Sequence, residues 1–232
     1  MSYFLGIDTS SIELGIGLYK DGDPVMGVSR YFRNSHAEHI TQCLDFFLKT
    51  NKISASDILH AGIAVGPGSF TGLRIGIAFI KGFFFRRNAQ VVAVSSLESM
   101  AGSLHVADGN VVAASDARNN EIFWARFHVR NGVVTRLTND ELCLSNTFSA
   151  AIAESDFIIT DTLGYAKSTS FGFLDNRPNT FAVEKFPMQR GLACARAASI
   201  EKDGSLRWQS VDTIQPLYLN TSSVERKHSQ TF

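Results

Sequence analysis

This sequence lacks an excess charge of either sign. Lys plus Arg and Asp plus Glu each count 22 in 232 residues. No overall field therefore draws in nucleic acid or an anionic membrane, and any RNA contact has to be local or supplied by another subunit. Cysteine is scarce as well. Cys43, Cys143 and Cys194 are odd in number and far apart, which excludes a disulfide frame or zinc pattern and suits a reducing compartment. The longest apolar run, residues 75–85, contains Lys81 and is too short to span a bilayer. The chain enters directly on a strand, without the basic region, apolar segment and cleavage site of an export signal. The expectation is a cytoplasmic protein with no membrane partner. Catalytic signatures are missing too: there is no GxSxG elbow, the six histidines are scattered, and the serines after glycine turns have no assigned base. What remains is 44% hydrophobic and 19% charged, long enough for one large or two small domains with a real core.

The chain is organised around Gly66-Pro67-Gly68-Ser69-Phe70-Thr71-Gly72-Leu73-Arg74-Ile75-Gly76. Residues 60–65 before it read as a buried strand, and residues 75–85 after it as a helix. Gly66 and Gly68 permit a sharp reversal, Pro67 pre-sets one dihedral, and Ser69 or Thr71 can cap the exposed amides. A strand–turn–helix unit of this kind invites a phosphate. The spacing argues for a structural turn and packing surface instead, because no Lys-Ser or Lys-Thr follows as in a P-loop. In a dinucleotide fingerprint, the third glycine would stand where Thr71 is. The helix has almost no polar face, since Leu73, Ile75, Ile77, Ala78, Phe79, Ile80, Phe83, Phe84 and Phe85 are relieved only by Arg74 and Lys81. Such a helix must be covered on two sides, one by its own sheet and the other by a second helix or a partner.

Taken in order, residues 3–10, 12–19 and 25–32 form three strands, with a hairpin turn at Asp21-Gly22-Asp23. Asp8-Thr9-Ser10 ends the first. An Asp here faces metal in actin-like ATPases, and an Asx or Ser/Thr turn satisfying its own backbone is equally consistent. A helix over 36–50 carries the apolar stripe Ile40, Cys43, Leu44 and Phe47, widened by His39 and Phe46. His36 and His39 share a face but have no third ligand besides Glu38, so surface or interface histidines are the better reading. A linker at 53–57, a strand at 90–94 and a helix from Ser95 to about Leu104 complete a β-β-β-α-β-α-β-α half. Asp108-Gly109-Asn110 reads as a turn and boundary. Beyond it, strands at 111–114, 121–130, 133–137 and 157–160, with a helix at 147–154, give a smaller version of the first half. A second helix over 188–200 has Ala193, Ala195, Ala197 and Ala198 for close packing, and residues 213–219 are extended. The expected division is an N-terminal lobe at 1–106, which the helix near 188–202 can complete, a smaller lobe at 107–220 and a mobile polar tail at 221–232.

The central stretch resembles the signature of the bacterial TsaB (YeaZ) family of tRNA threonylcarbamoyladenosine biosynthesis proteins. Leu5-Gly6-Ile7-Asp8-Thr9-Ser10, Val94-Ser95-Ser96-Leu97, Asp116-Ala117-Arg118 with Glu121, and Pro216-Leu217-Tyr218-Leu219 match in the family's order. The resemblance implies an α/β, actin-like and hsp70-like ATPase fold built on the ribonuclease H-like motif, in two lobes with mixed sheets flanked by helices. It implies a non-catalytic scaffold or activator that pairs with the larger TsaD, and with TsaE, for threonylcarbamoyl transfer to the adenosine beside the anticodon of tRNAs reading ANN codons. In the family the helices matching 36–50 and 70–85 form the bundle for TsaD pairing or, alone, homodimerisation. The expected interface residues are His36, His39, Phe46, Phe70, Arg74, Ile77, Lys81 and Phe84, with Ile77 on the outward side. Asp8, Gly66, Pro67, Gly68, Ser69, Thr71, Gly72, Asp116 and Arg118 are expected to shape turns. TsaD holds its metal through HxExH, and His36-Ala37-Glu38-His39 is one residue short of it. No catalytic or metal site is therefore expected in this chain. ATP or ADP is expected only in the complex, and tRNA only through it. A departure is that residues 158–164 keep one glycine, Gly164, where the family tends to have more. The competing reading is a stand-alone ATP-binding phosphotransferase or glycoprotease-like hydrolase using Asp8.

Overall fold

Alternation along the first strands sets the architecture. In the computed structural model, which describes residues 2–31, 36–104, 108–154, 156–161, 179–182, 190–201 and 207–219, β1 (Tyr3–Asp8) pairs antiparallel with β2 (Glu13–Lys20), and β2 with β3 (Asp23–Tyr31). Side chains on a strand alternate between faces. Leu5, Ile7, Leu14, Ile16 and Leu18 therefore enter one buried cluster, together with Ile40, Leu44 and Phe47 of α1 (His36–Asn51) and Ile77 and Ile80 of α2 (Phe70–Phe83). Gly6, Asp8, Gly15 and Gly17 fall on the opposite face. β4 (Ile58–Gly66) and β5 (Gln90–Ser95) extend the sheet in parallel, and β12 (Trp208–Ser210) closes it, giving β12-β5-β4-β1-β2-β3.

The glycine face is where α5 (Arg190–Ser199) lies. A Cβ built on Gly6 would sit 2.0 Å from the Gly191 carbonyl oxygen and 2.2 Å from the Ala195 nitrogen. One on Gly17 would meet Leu192 at 2.5 Å, and one on Gly62 the Cys194 carbonyl oxygen at 2.0 Å. The backbone of α5 thus rests on the backbone of β1, β2 and β4, which small residues on both surfaces allow. The alanines read as permitting close packing have this glycine floor as their counterpart.

The second sheet repeats the first. β6 (Asp108–Arg118), β7 (Glu121–Arg130) and β8 (Val133–Arg136) are antiparallel, while β10 (Phe157–Thr160) and β11 (Thr180–Ala182) are parallel to β6. The order β8-β7-β6-β10-β11 matches β3-β2-β1-β4-β5 strand for strand. This is the duplicated ribonuclease H-like arrangement of actin-like folds. One face packs on Leu97, Met100, Ala101 and Leu104 of α3 (Ser96–Ser103) and around it, and the other on Phe148 of α4 (Ser145–Ala151). α3 and α5 meet between the sheets, where Gly102 lies against Ala193.

Several expectations change. Asp108-Gly109-Asn110 is not a turn but the start of β6, held by Asp108 pairing with His128 at 2.9 Å and Arg130 at 3.5 Å, with Gly109 beneath the Phe157 ring. β9 (Glu141–Leu144), paired with β7, and β12 are strands of four and three residues, too short for a periodicity. α3, first-half in sequence order, packs on the second sheet. Gly164 and the tail 221–232 lie outside the described residues.

The glycine floor yields a test. Gly6→Ala should cost roughly 3 kcal/mol or more, because backbone on both sides of the new methyl has nowhere to go. Gly82→Ala, where nothing lies within 4 Å, should be neutral or stabilising by up to about 1 kcal/mol. Urea unfolding midpoints of the two variants check this.

Candidate functional site

The signature turn is closed by its own chain. Gly66 has φ +130 and Gly68 φ +156, and the Gly66–Pro67 peptide is cis. A Cβ at Gly68 would come 2.3 Å from the Ser10 carbonyl oxygen, and one at Gly72 2.0 Å from that of Thr9. Ser69 donates its amide to the Ser10 carbonyl at 2.6 Å, Thr9 Oγ1 donates to the Gly72 carbonyl at 2.8 Å, and Ser69 Oγ accepts from the Gly72 amide at 3.2 Å. Of the two candidate caps, Ser69 caps α2 and Thr71 is exposed. Leu217 covers the strand end, its amide donating to the Val65 carbonyl at 2.7 Å. Of the amides at this turn, those of Ser69 and Gly72 are already engaged within the chain.

Asp8 ends β1 on the α5 face and is 1% exposed. One carboxylate oxygen accepts from the Ser10 amide at 2.9 Å and the Ser10 hydroxyl at 2.6 Å. The other accepts from the Ser99 hydroxyl at 2.6 Å and pairs with Arg190 Nε at 3.2 Å. Arg190, 3% exposed, spreads its remaining nitrogens over Ser11 Oγ at 3.0 Å, Ser10 Oγ at 3.2 Å and the Ser96 carbonyl at 3.2 Å. Burial alone would lower the arginine's pKa, but Asp8, joined by Glu13 and Asp161, outweighs it and holds the guanidinium above its usual value. A metal at Asp8 does not fit this arrangement. Both oxygens are occupied, and the cation beside them is the protein's own. No sequence motif singles out Arg190; the available signal is that a lone carboxylate at a buried strand end needs a partner.

The two helices on the outer face divide the expected interface residues. Phe46 is 53% and Phe70 41% exposed, and Arg74 is exposed. Arg74 lies 3.7 Å over the Phe70 ring and donates from Nε to the Tyr218 hydroxyl at 3.0 Å, while Tyr218 stacks on Phe70 at 4.8 Å. Lys81 is tied to the Asp212 carbonyl at 3.1 Å. Ile77 and Phe84 are corrections. At 5% and 2% exposure they belong to the cluster under the first sheet, whereas Phe85, in the turn just past the end of α2, is 74% exposed. His36 is also buried, its Nε2 2.8 Å from the Ser11 carbonyl, whereas His39 is half-buried beside Gln42. The histidines thus serve different surroundings, and among the described residues no three His, Cys, Asp or Glu side chains could hold a metal.

In the second lobe Asp116 accepts from the Arg118 amide at 3.0 Å, an Asx turn through Arg118, Asn119 and Asn120, all at positive φ. A cavity of about 620 Å³ opens between the sheets. On its wall Glu98 is held by Arg207 at 2.8 Å and faces Arg136 at 3.8 Å, and Arg136 reaches Asp140 at 2.7 Å. Its two arginines are therefore already paired with carboxylates.

The family model described as TsaD, tRNA N6-adenosine threonylcarbamoyltransferase, matches residues 30–154, more than half the chain. The chain belongs to this family, in its TsaB (YeaZ) branch. It is 27% identical over 152 residues, 66% of each chain, to the tRNA threonylcarbamoyladenosine biosynthesis protein TsaB of Bacillus subtilis. It is 34% identical over 128 residues to the protein of that name from Escherichia coli, covering 53% of this chain and 54% of the relative. The matches thus span between half and two thirds of these curated relatives. YeaZ from Pseudomonas aeruginosa superposes with a TM-score of 0.76 at 21% identity, over 94% of this chain and all of that one, which shows a shared fold. In this TsaB-branch chain, the signature residues Gly68, Ser69 and Gly72 bind α2 to the end of β1.

That role has measurable consequences. Ser69→Ala should cost about 1 kcal/mol through the lost cap. Gly72→Ala should cost roughly 2 kcal/mol or more, since its methyl would displace the β1 turn. Thermal unfolding followed by circular dichroism checks both.

Proposed function

We propose that this chain is a non-catalytic subunit in the biosynthesis of tRNA threonylcarbamoyladenosine, acting in the cytoplasm as scaffold or activator for the larger TsaD protein, together with TsaE. The observation that carries the reading is the occupation of Asp8 by Arg190, which leaves no free carboxylate where a nucleotide-hydrolysing relative of this fold would need one. ATP or ADP, and tRNA, are met only within the complex. Support for the pathway comes from the family match and the TsaB relatives.

The surface offered to TsaD is the outward side of α1 and α2. Phe46 and Phe70 expose large apolar area there, Phe85 does so in the turn just past α2, and Arg74 is held by Phe70 and Tyr218. Exposed aromatic and arginine side chains in fixed geometry are the composition of an interface centre. The same face serves for homodimerisation when TsaD is absent.

Light scattering of the chain with TsaD tests this. Phe70→Ala and Phe85→Asp should each weaken pairing by roughly tenfold to a hundredfold while leaving the melting temperature of the isolated chain near wild type. Ile77→Glu should instead unfold the chain, because it places a charge in the core. Absence of any complex under all nucleotide conditions, or ATP turnover by the isolated chain, would overturn the proposal in favour of a stand-alone enzyme.

A further inference from the structure

Three elements distant in sequence converge on Asp8. β1 supplies the carboxylate and the Ser10 turn, α3 supplies the Ser99 hydroxyl and the Ser96 carbonyl, and α5 supplies the guanidinium. The first sheet carries β1, and α3 packs on the second. The hydrogen bonds that Ser99 and Ser96 of α3 make to the two members of the ion pair therefore tie both halves of the molecule at one buried point. Every polar atom of Arg190 that has a partner finds it on another element, with none on its own helix.

We infer that Arg190 is a built-in cation for the Asp8 pocket, and that this pairing latches α5 and the two halves together. The pocket is chemically a cation site: a carboxylate and two hydroxyls in a cavity too buried for water to screen. Its shape, with acceptors on Ser10, Ser11 and Ser96 around the Asp8 oxygen, suits a planar guanidinium with donors along its edge. The Ser11 and Ser10 hydroxyls and the Ser96 carbonyl each already take an N–H of the guanidinium, so a divalent ion would have to displace the arginine to reach them. Truncating Arg190 leaves a buried, uncompensated carboxylate and opens a space that a free guanidinium ion can fill.

Cys194 provides the reporter. It lies one turn beyond Arg190 on α5, is fully buried against Gly62, and its thiol is pushed well above its usual pKa by burial and then by Asp8. Only lifting of α5 exposes it to a thiol reagent.

The experiment uses the full chain in a Cys43→Ser, Cys143→Ser background. Disulfide-exchange labelling of Cys194 and the melting temperature are measured for wild-type Arg190 and for Arg190→Ala. The truncated variant should label roughly tenfold faster or more, and millimolar methylguanidinium should return both rate and melting temperature toward wild type. Tetramethylammonium chloride at equal ionic strength should do neither. Labelling of Arg190→Ala at the wild-type rate overturns the latch. Equal rescue by both salts, or rescue by magnesium chloride alone, overturns the guanidinium pocket. Where Arg190→Ala is too unstable to purify, Arg190→Gln and Asp8→Asn/Arg190→Gln decide the matter. The double variant should be the more stable of the two, because it removes the orphaned charge; a double variant no more stable than Arg190→Gln refutes the pairing.

Discussion

The structure depends on one close approach: the backbone of α5 lying against the backbone of the first sheet. Four sheet glycines leave no room for a Cβ beneath the helix, and Gly191 reciprocates from above. This contact requires no polar chemistry, only the absence of side chains, yet it determines where Arg190 sits. With the helix pressed onto β1, β2 and β4, its first residue is delivered to the end of β1, where alternation has already turned Asp8 to the same face. The ion pair is thus a consequence of sheet–helix packing as much as of charge.

From there the two sides of the first sheet take different tasks. The inner side is filled by α5 and joined through α3 to the second sheet, so the cleft that this architecture leaves between two such lobes is occupied at Asp8 by the chain's own cation. The outer side carries α1 and α2, which bury Ile40, Leu44, Phe47, Ile77 and Ile80 inward and leave Phe46, Phe70 and Phe85 outside. A chain whose inner carboxylate is satisfied and whose outer helices are not has its available surface free energy on the outside. That division underlies the reading of this TsaB-branch protein as a subunit that works through contacts.

Much of the fold was legible locally. The helix over residues 36–50, the strand–turn–helix around Gly66 and the repetition of the first half in the second all follow from periodicity and turn residues, and the structure has them. The site was harder. Ile77 and Phe84 fall among the expected interface residues because a helix apolar all round offers no polar stripe from which to find its solvent side. Phe84 caps α2 and turns into the core, and Phe85, in the turn that follows, does not. Asp108-Gly109-Asn110 has the composition of a turn, and pairing with Arg130 and His128, twenty residues on, overrode it.

What the amino-acid sequence determined by itself is the set of local decisions: which segments are strands or helices, and which turns can reverse sharply. These depend on neighbours within a few residues, where side-chain period and backbone freedom suffice. Tertiary structure alone decided that Arg190 meets Asp8 across 182 positions, that Tyr218 locks Arg74, and which side of α2 faces out. Each of those follows from how a helix sits on a sheet. That placement is set by the shapes of two surfaces together, and no single stretch of the chain contains both.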